Sequence, residues 1–134
     1  MNNGIVAIGY NRLESLKRLL MTLKRVDYKE DRVTLIISLD FNENNDVKDF
    51  ASKFQWPYGD KILRFSHKKL GLRRHVLQCG NYLNEYNLDA IAVFEDDIVP
   101  SVAFYNYMRQ AVAYYQNVAE VAGIALYSFR INQN

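Results

Sequence analysis

Five short apolar runs, separated by stretches of helical periodicity, constrain this chain more than any other feature. The runs are GIVAIGY (4–10), RVTLIISLDF (32–41), KILRFSH (61–67), LDAIAVFEDD (88–97) and VAGIALYSF (121–129). Most are continuous rather than alternating in polarity, so they predict strands buried on both faces. Between the first two, Leu13, Leu16, Leu19, Leu20 and Leu23 recur at three and four residues and predict an amphipathic helix closing near Arg25. Val47, Phe50, Ala51 and Phe54 mark a second helix within 42–54, and Leu72, Val76, Cys79, Leu83 and Tyr86 a third over 70–86. Val102, Tyr105, Val112 and Tyr115 mark the inner face of a fourth, with Pro100 suited to its first turn. Strands and helices in strict alternation predict an α/β fold of three layers, α/β/α, around a mostly parallel sheet.

A chain of 134 residues with 49% hydrophobic content builds one core, so a single domain, 1–134, is expected. Its formal charge of +2 gives no overall field for nucleic acid, membrane or an acidic partner, and any electrostatic function must be local. No apolar run approaches the roughly 20 residues of a membrane span. The single cysteine, Cys79, has no intramolecular disulfide partner, which fits a reducing, cytoplasmic setting and a buried packing role.

In open α/β sheets, ligands bind beyond the carboxyl ends of the strands. Tyr10, Asn11, Arg12, Asp40 and the triplet Glu95, Asp96 and Asp97 all fall there. The first turn, IGYNRLES, carries one glycine, Gly9, where a dinucleotide fold needs three, and no GxxxxGK[ST] loop is present. Neither HExxH nor paired cysteines point to zinc. Carboxylate chemistry remains. Three adjacent acids after a buried strand repel one another unless something positive sits against them. Two hard oxygen donors on one side of an extended segment suit magnesium or manganese; the alternative is a solvated acidic loop or a cap for the next helix. The segment HKKLGLRRH (67–75) supplies the opposite charge. Cations in the first turns of a helix are disfavoured by its dipole, and an anion there relieves them; the alternative is a solvated basic surface. Asp40 is suited either to accept hydrogen bonds from a base or ribose, or to cap the following helix.

From IVAIGYNRLESLKRLL through LIISLDF and LGLRRHVLQCGNYL to IAVFEDDIVPSVAFYNYM, the chain resembles the nucleotide-sugar-binding half of a GT-A fold glycosyltransferase. The order of these pieces is similar to family-2-type enzymes. FEDDIVPSVAFYNYM is closer still to the N-acetylglucosaminyltransferase I family, whose Glu-Asp-Asp motif also follows a strand and precedes a Phe/Tyr-rich helix. The resemblance implies a metal-dependent, inverting transfer of sugar from a nucleoside-diphosphate donor, expected to be a UDP-sugar, to a carbohydrate or glycoconjugate acceptor hydroxyl. It implies that Gly9, Tyr10, Asn11 and Arg12 line the nucleotide pocket, with Arg12 near the diphosphate, and that Asp40 accepts from uracil. Arg73, Arg74 or His75 would approach the nucleotide or its phosphates. Asp97 would hold Mn2+ or Mg2+, Glu95 would support that ion's water shell, and Asp96 would contact ribose or sugar.

In enzymes of this type the general base and acceptor site follow the metal motif at a distance, so they are expected beyond Asn134. Such a domain, with an apolar face left bare, is expected to self-associate. A sugar-nucleotide pyrophosphorylase would carry a glycine-rich GGxGTR-like loop, which GYNRLES is not. The alternative of a different class is a noncatalytic or degenerate nucleotide-sugar-binding or interaction domain of the same fold.

Overall fold

The computed structural model describes residues 1–126. Nine elements follow in chain order: β1 (Asn3–Gly9), α1 (Leu13–Lys24), β2 (Val33–Leu39), α2 (Asp46–Lys53), β3 (Lys61–Phe65), α3 (Leu72–Cys79), α4 (Tyr82–Glu85), β4 (Ala90–Glu95) and α5 (Phe104–Tyr115). The strands form one sheet in the order β3-β2-β1-β4, and each neighbouring pair is parallel. β1 and β2, the two central strands, are buried at every residue, as continuous apolar runs require.

Two cores sandwich the sheet. On one face Leu16, Leu19, Leu20 and Leu23 of α1 pack with α2 and α5 against Ile5, Ala7, Leu35, Ile37 and Phe94. Each of those leucines is fully buried, which contributes about 1.5–3 kcal/mol apiece relative to exposure. On the other face Val6, Ile8 and Ile36 meet Cys79, Tyr82 and Leu88 from the α3–α4 region. Successive residues of β1 and β2 therefore serve opposite layers, and the predicted three-layer α/β/α architecture is the one present. At the amino-terminal end of the sheet, Tyr105 Oη donates to Asp31 Oδ2 at 2.8 Å and accepts from Asn3 Nδ2 at 3.3 Å, while Arg109 Nε lies 3.2 Å from Asp31. That chain of contacts ties α5 to β1.

Three expectations need correction. The helix predicted over 70–86 is broken into α3 and α4 at Gly80 and Asn81, both weak helix formers. Its inner face is turned by one position: His75, Cys79 and Tyr82 are buried, whereas Leu72 and Val76 are exposed. A polar contact inside the second core, described below, fixes that rotation. α5 starts at Phe104, leaving Val102 exposed and Pro100 ahead of the helix; its buried side chains are Phe104, Tyr105 and Met108. Residues 121–126 of the fifth predicted strand have no regular structure, and Ile124 and Leu126 are exposed. An apolar run becomes a strand only where a neighbour supplies the ladder. The rest of that prediction, 127–129, lies outside the described residues.

Candidate functional site at the strand-order switch

The chain builds the sheet outward from β1 through β2 to β3, then crosses back to lay β4 on the other side of β1. The order therefore reverses between β1 and β4, and the crevice beyond their carboxyl ends is where open α/β sheets place ligands. Ile8 is in register with Glu95, so the next residues, Gly9 and Asp96, continue the pair at the rim. Gly9 is needed there for close packing: a Cβ at this position would lie 2.9 Å from Leu39 Cδ2 and 3.5 Å from Leu16 Cδ1.

The three acids are not equivalent. Asp96 is buried to 8% exposure, Glu95 is half-buried and Asp97 is exposed. Burial raises the Asp96 carboxyl above its ordinary pKa, and the charge of Asp97 adds to the rise. The guanidinium of Arg12, projecting from the start of α1, opposes both. Arg12 is thus close enough to Asp96 for its charge to act on that carboxyl. Among the described residues no three His, Cys, Asp or Glu side chains form a ready-made metal cluster.

Asp40, directly after β2, is buried to 6% exposure and does not cap the following helix, α2, which has no side-chain cap hydrogen bond. Its Oδ1 accepts the backbone N–H of Phe41 and of Leu70, each at 2.8 Å, and its Oδ2 accepts that of Gly71 at 3.0 Å. Burial works against its ionisation. The three donors, with a smaller contribution from His75, overcome burial and hold the pKa below the ordinary carboxylate value. Asp40 thereby pins the loop that enters α3. Gly71, at φ +78° and ψ 159°, takes a backbone conformation that side chains disfavour.

The basic segment divides around that pinned loop. Lys69 Nζ stands 4.9 Å from the ring centroid of Tyr10, on the β1 rim. Arg73 and Arg74 occupy the first turn of α3 and are exposed. His75 turns inward to 2% exposure, with Nε2 2.7 Å from Ser38 Oγ, and Ser38 Oγ lies 2.9 Å from Tyr82 Oη. Burial lowers the His75 pKa against the pull of Asp40, so the neutral imidazole is favoured. This Ser38–His75–Tyr82 contact sets the rotation of α3. Sequence reasoning missed Ser38 and Tyr82; the spacing of His75, Cys79 and Tyr82 at i, i+4 and i+7 was the available signal. Cys79 is buried and free, its thiol pushed up to about 11 by burial, as befits a packing residue.

A concavity of about 540 Å3 lies at the opposite end of the sheet, lined by Asp27, Tyr28, Asp31 and Tyr58. It adjoins the starts of β2 and β3, where no strand carboxyl ends converge.

No family model and no curated protein matches the chain. Among solved structures, the fold is similar to that of S. aureus TarS residues 1–349, with a TM-score of 0.63 and 11% identity over 87% of this chain and 33% of that one. A second structure of S. aureus TarS gives a TM-score of 0.57 at 11% identity, covering 87% of this chain and 20% of its own. The chain thus spans a third or less of the proteins it resembles in fold. No helix among the described residues is long and apolar enough to cross a membrane.

Proposed function

We propose that the crevice between β1 and β4 binds a nucleoside diphosphate sugar, and that the chain is the donor-binding part of a glycosyltransferase. The observation that carries this reading is the buried carboxyl of Asp96 within the field of Arg12 at the point where strand order reverses. The Rossmann-like, GT-A-like sheet and the FEDDIVPSVAFYNYM motif agree with it.

Each residue's proposed work follows from its position. Arg12 is suited to hold diphosphate oxygens through its fork of N–H donors. Tyr10 and Asn11 form the wall of the nucleotide pocket beside it, with Lys69 drawn over the Tyr10 ring. Asp40 has three of its roughly four lone-pair sites filled by backbone donors, leaving one for an N–H of the base, for which uracil is the proposed partner. Arg73 and Arg74 extend positive charge from the same pinned loop. Asp96, within the field of Arg12, is suited to accept from a ribose or sugar hydroxyl. The hard oxygen donors of Asp97 and Glu95 fit Mn2+ or Mg2+, which commonly take one or two carboxylates and complete their shell with water and phosphate. Such an ion supplies Lewis-acid stabilisation of charge on the departing nucleoside diphosphate.

Release of UDP from UDP-sugars, with and without an acceptor panel, tests the enzymatic reading. Turnover that disappears in Arg12→Ala supports it. Tight UDP binding with no release under any donor or acceptor would instead identify a noncatalytic nucleotide-sugar-binding module.

A further inference from the structure

The cations of the 67–75 segment do not all stand at Tyr10, and two of them line a cleft. While Lys69 reaches Tyr10, His67 and Lys68 line a concavity of about 530 Å3 beside β3, together with Arg64 and Gln78. The hydroxyl-bearing side chains of Ser38 and Tyr82 also line it. No Asp or Glu is among its lining residues. Arg64 is bound on one flank by Glu85 and by Tyr86 Oη at 3.0 Å, which orients its guanidinium over the Tyr82 ring, 5.1 Å from the centroid. His67 and Lys68 are exposed and make no ion pair among the described residues.

The lining is part apolar, from Leu63, Phe65 and Leu70, and part cationic; with Arg64 already paired to Glu85, Lys68 is its unpaired lysine among the described residues, and the absence of a lining carboxylate favours an anion. The volume lies within the range of small-molecule sites. Arginine matches the oxygens of a phosphate geometrically, and lysine adds a point charge. We propose that this cleft is a second binding site, separate from the switch crevice, for the phosphate group of a small phosphate monoester. Arg64 and Lys68 meet the phosphate oxygens, and His67 and Gln78 donate from the rim. This site does not depend on the nucleotide-sugar reading, because Arg64, His67, Lys68 and Gln78 have no part in it.

Amide NMR titration of the whole chain at fixed ionic strength tests the proposal, with inorganic phosphate, glucose 6-phosphate and glucose as the probes. The expected result is saturable shifts at Arg64–Lys68 and Gln78 with phosphate and glucose 6-phosphate but not glucose, while residues 10–12 and 95–97 stay in place. The double variant His67→Ala, Lys68→Ala changes only exposed side chains and should weaken binding at least about tenfold, whereas Arg12→Ala should leave it unchanged. Shifts at 10–12 and 95–97 instead, shifts that never saturate, equal response to glucose, or unaltered affinity in the double variant would each overturn it. UDP binding at the switch crevice, measured on the same double variant, reads the other site separately.

Discussion

Replacing Asp40 tests whether one carboxylate holds the entrance to α3. In Asp40→Ala, three backbone N–H groups lose an acceptor that is charged and buried. Hydrogen bonds to charged groups contribute about 1.5–3 kcal/mol each, and rehydration of a partly open loop returns some of that, so the expected cost is about 3–5 kcal/mol. Asp40→Asn keeps one oxygen for Phe41 and Leu70 but turns its amide N–H2 toward the Gly71 N–H, donor against donor. Its expected cost is about 1.5–2.5 kcal/mol. Urea denaturation measures both, as a shift in midpoint at constant slope. The two costs also carry a pH signature. Because the folded-state pKa of Asp40 lies below the ordinary 3.8, its stabilisation is present above that value and lost as pH falls through the folded pKa. The gap between wild type and Asp40→Asn should therefore narrow below about pH 4. A cost under about 1 kcal/mol for the alanine variant, an asparagine variant as damaging as alanine, or a gap insensitive to acid would refute the assignment.

Asp96 should behave in the opposite sense: its folded pKa is raised by burial, so its charge destabilises the fold increasingly as pH rises above the unfolded value near 3.8. Asp96→Asn should raise stability at pH 7 by about 0.5–2 kcal/mol and give no gain at pH 3, as thermal denaturation at the two pH values would show. Gly71→Ala should cost about 1–3 kcal/mol in the same assay, because φ +78° strains a side chain even though no atom lies within 4 Å of the added Cβ. Cys79, with its thiol pushed up to about 11 and fully buried, should resist a disulfide reagent at pH 8 in the native protein. In denaturant it should react at once.

The strands β1 and β2 were legible because two-sided burial leaves an unbroken apolar run, whereas β3 and β4, at the sheet edges, are only partly buried; the triplet stands out because its acids directly follow an apolar run. Less local features were hidden. The hold of Asp40 on the entrance to α3 was hidden because its partners, Leu70 and Gly71, lie 30 and 31 residues away. The inner face of α3 is hidden in the sequence because Leu72 and Val76 share helical spacing with Cys79, whereas the inward residue, His75, is polar and is fixed by Ser38 on β2. VAGIALYSF has the composition of a strand, but residues 121–126 find no ladder. The basic segment read as one surface; only the folded loop separates Lys69, beside Tyr10, from His67 and Lys68 in the cleft beside β3.

The central claim is that Arg12 and the Glu95–Asp97 triplet form a receptor for a nucleoside diphosphate together with a divalent ion. Calorimetric titration of UDP into the chain, with manganese and then with a chelator, measures it most directly. The account predicts at least about tenfold tighter binding with manganese and loss of that difference in Asp97→Asn. Equal affinity in chelator, or a manganese effect that survives Asp97→Asn, would contradict it.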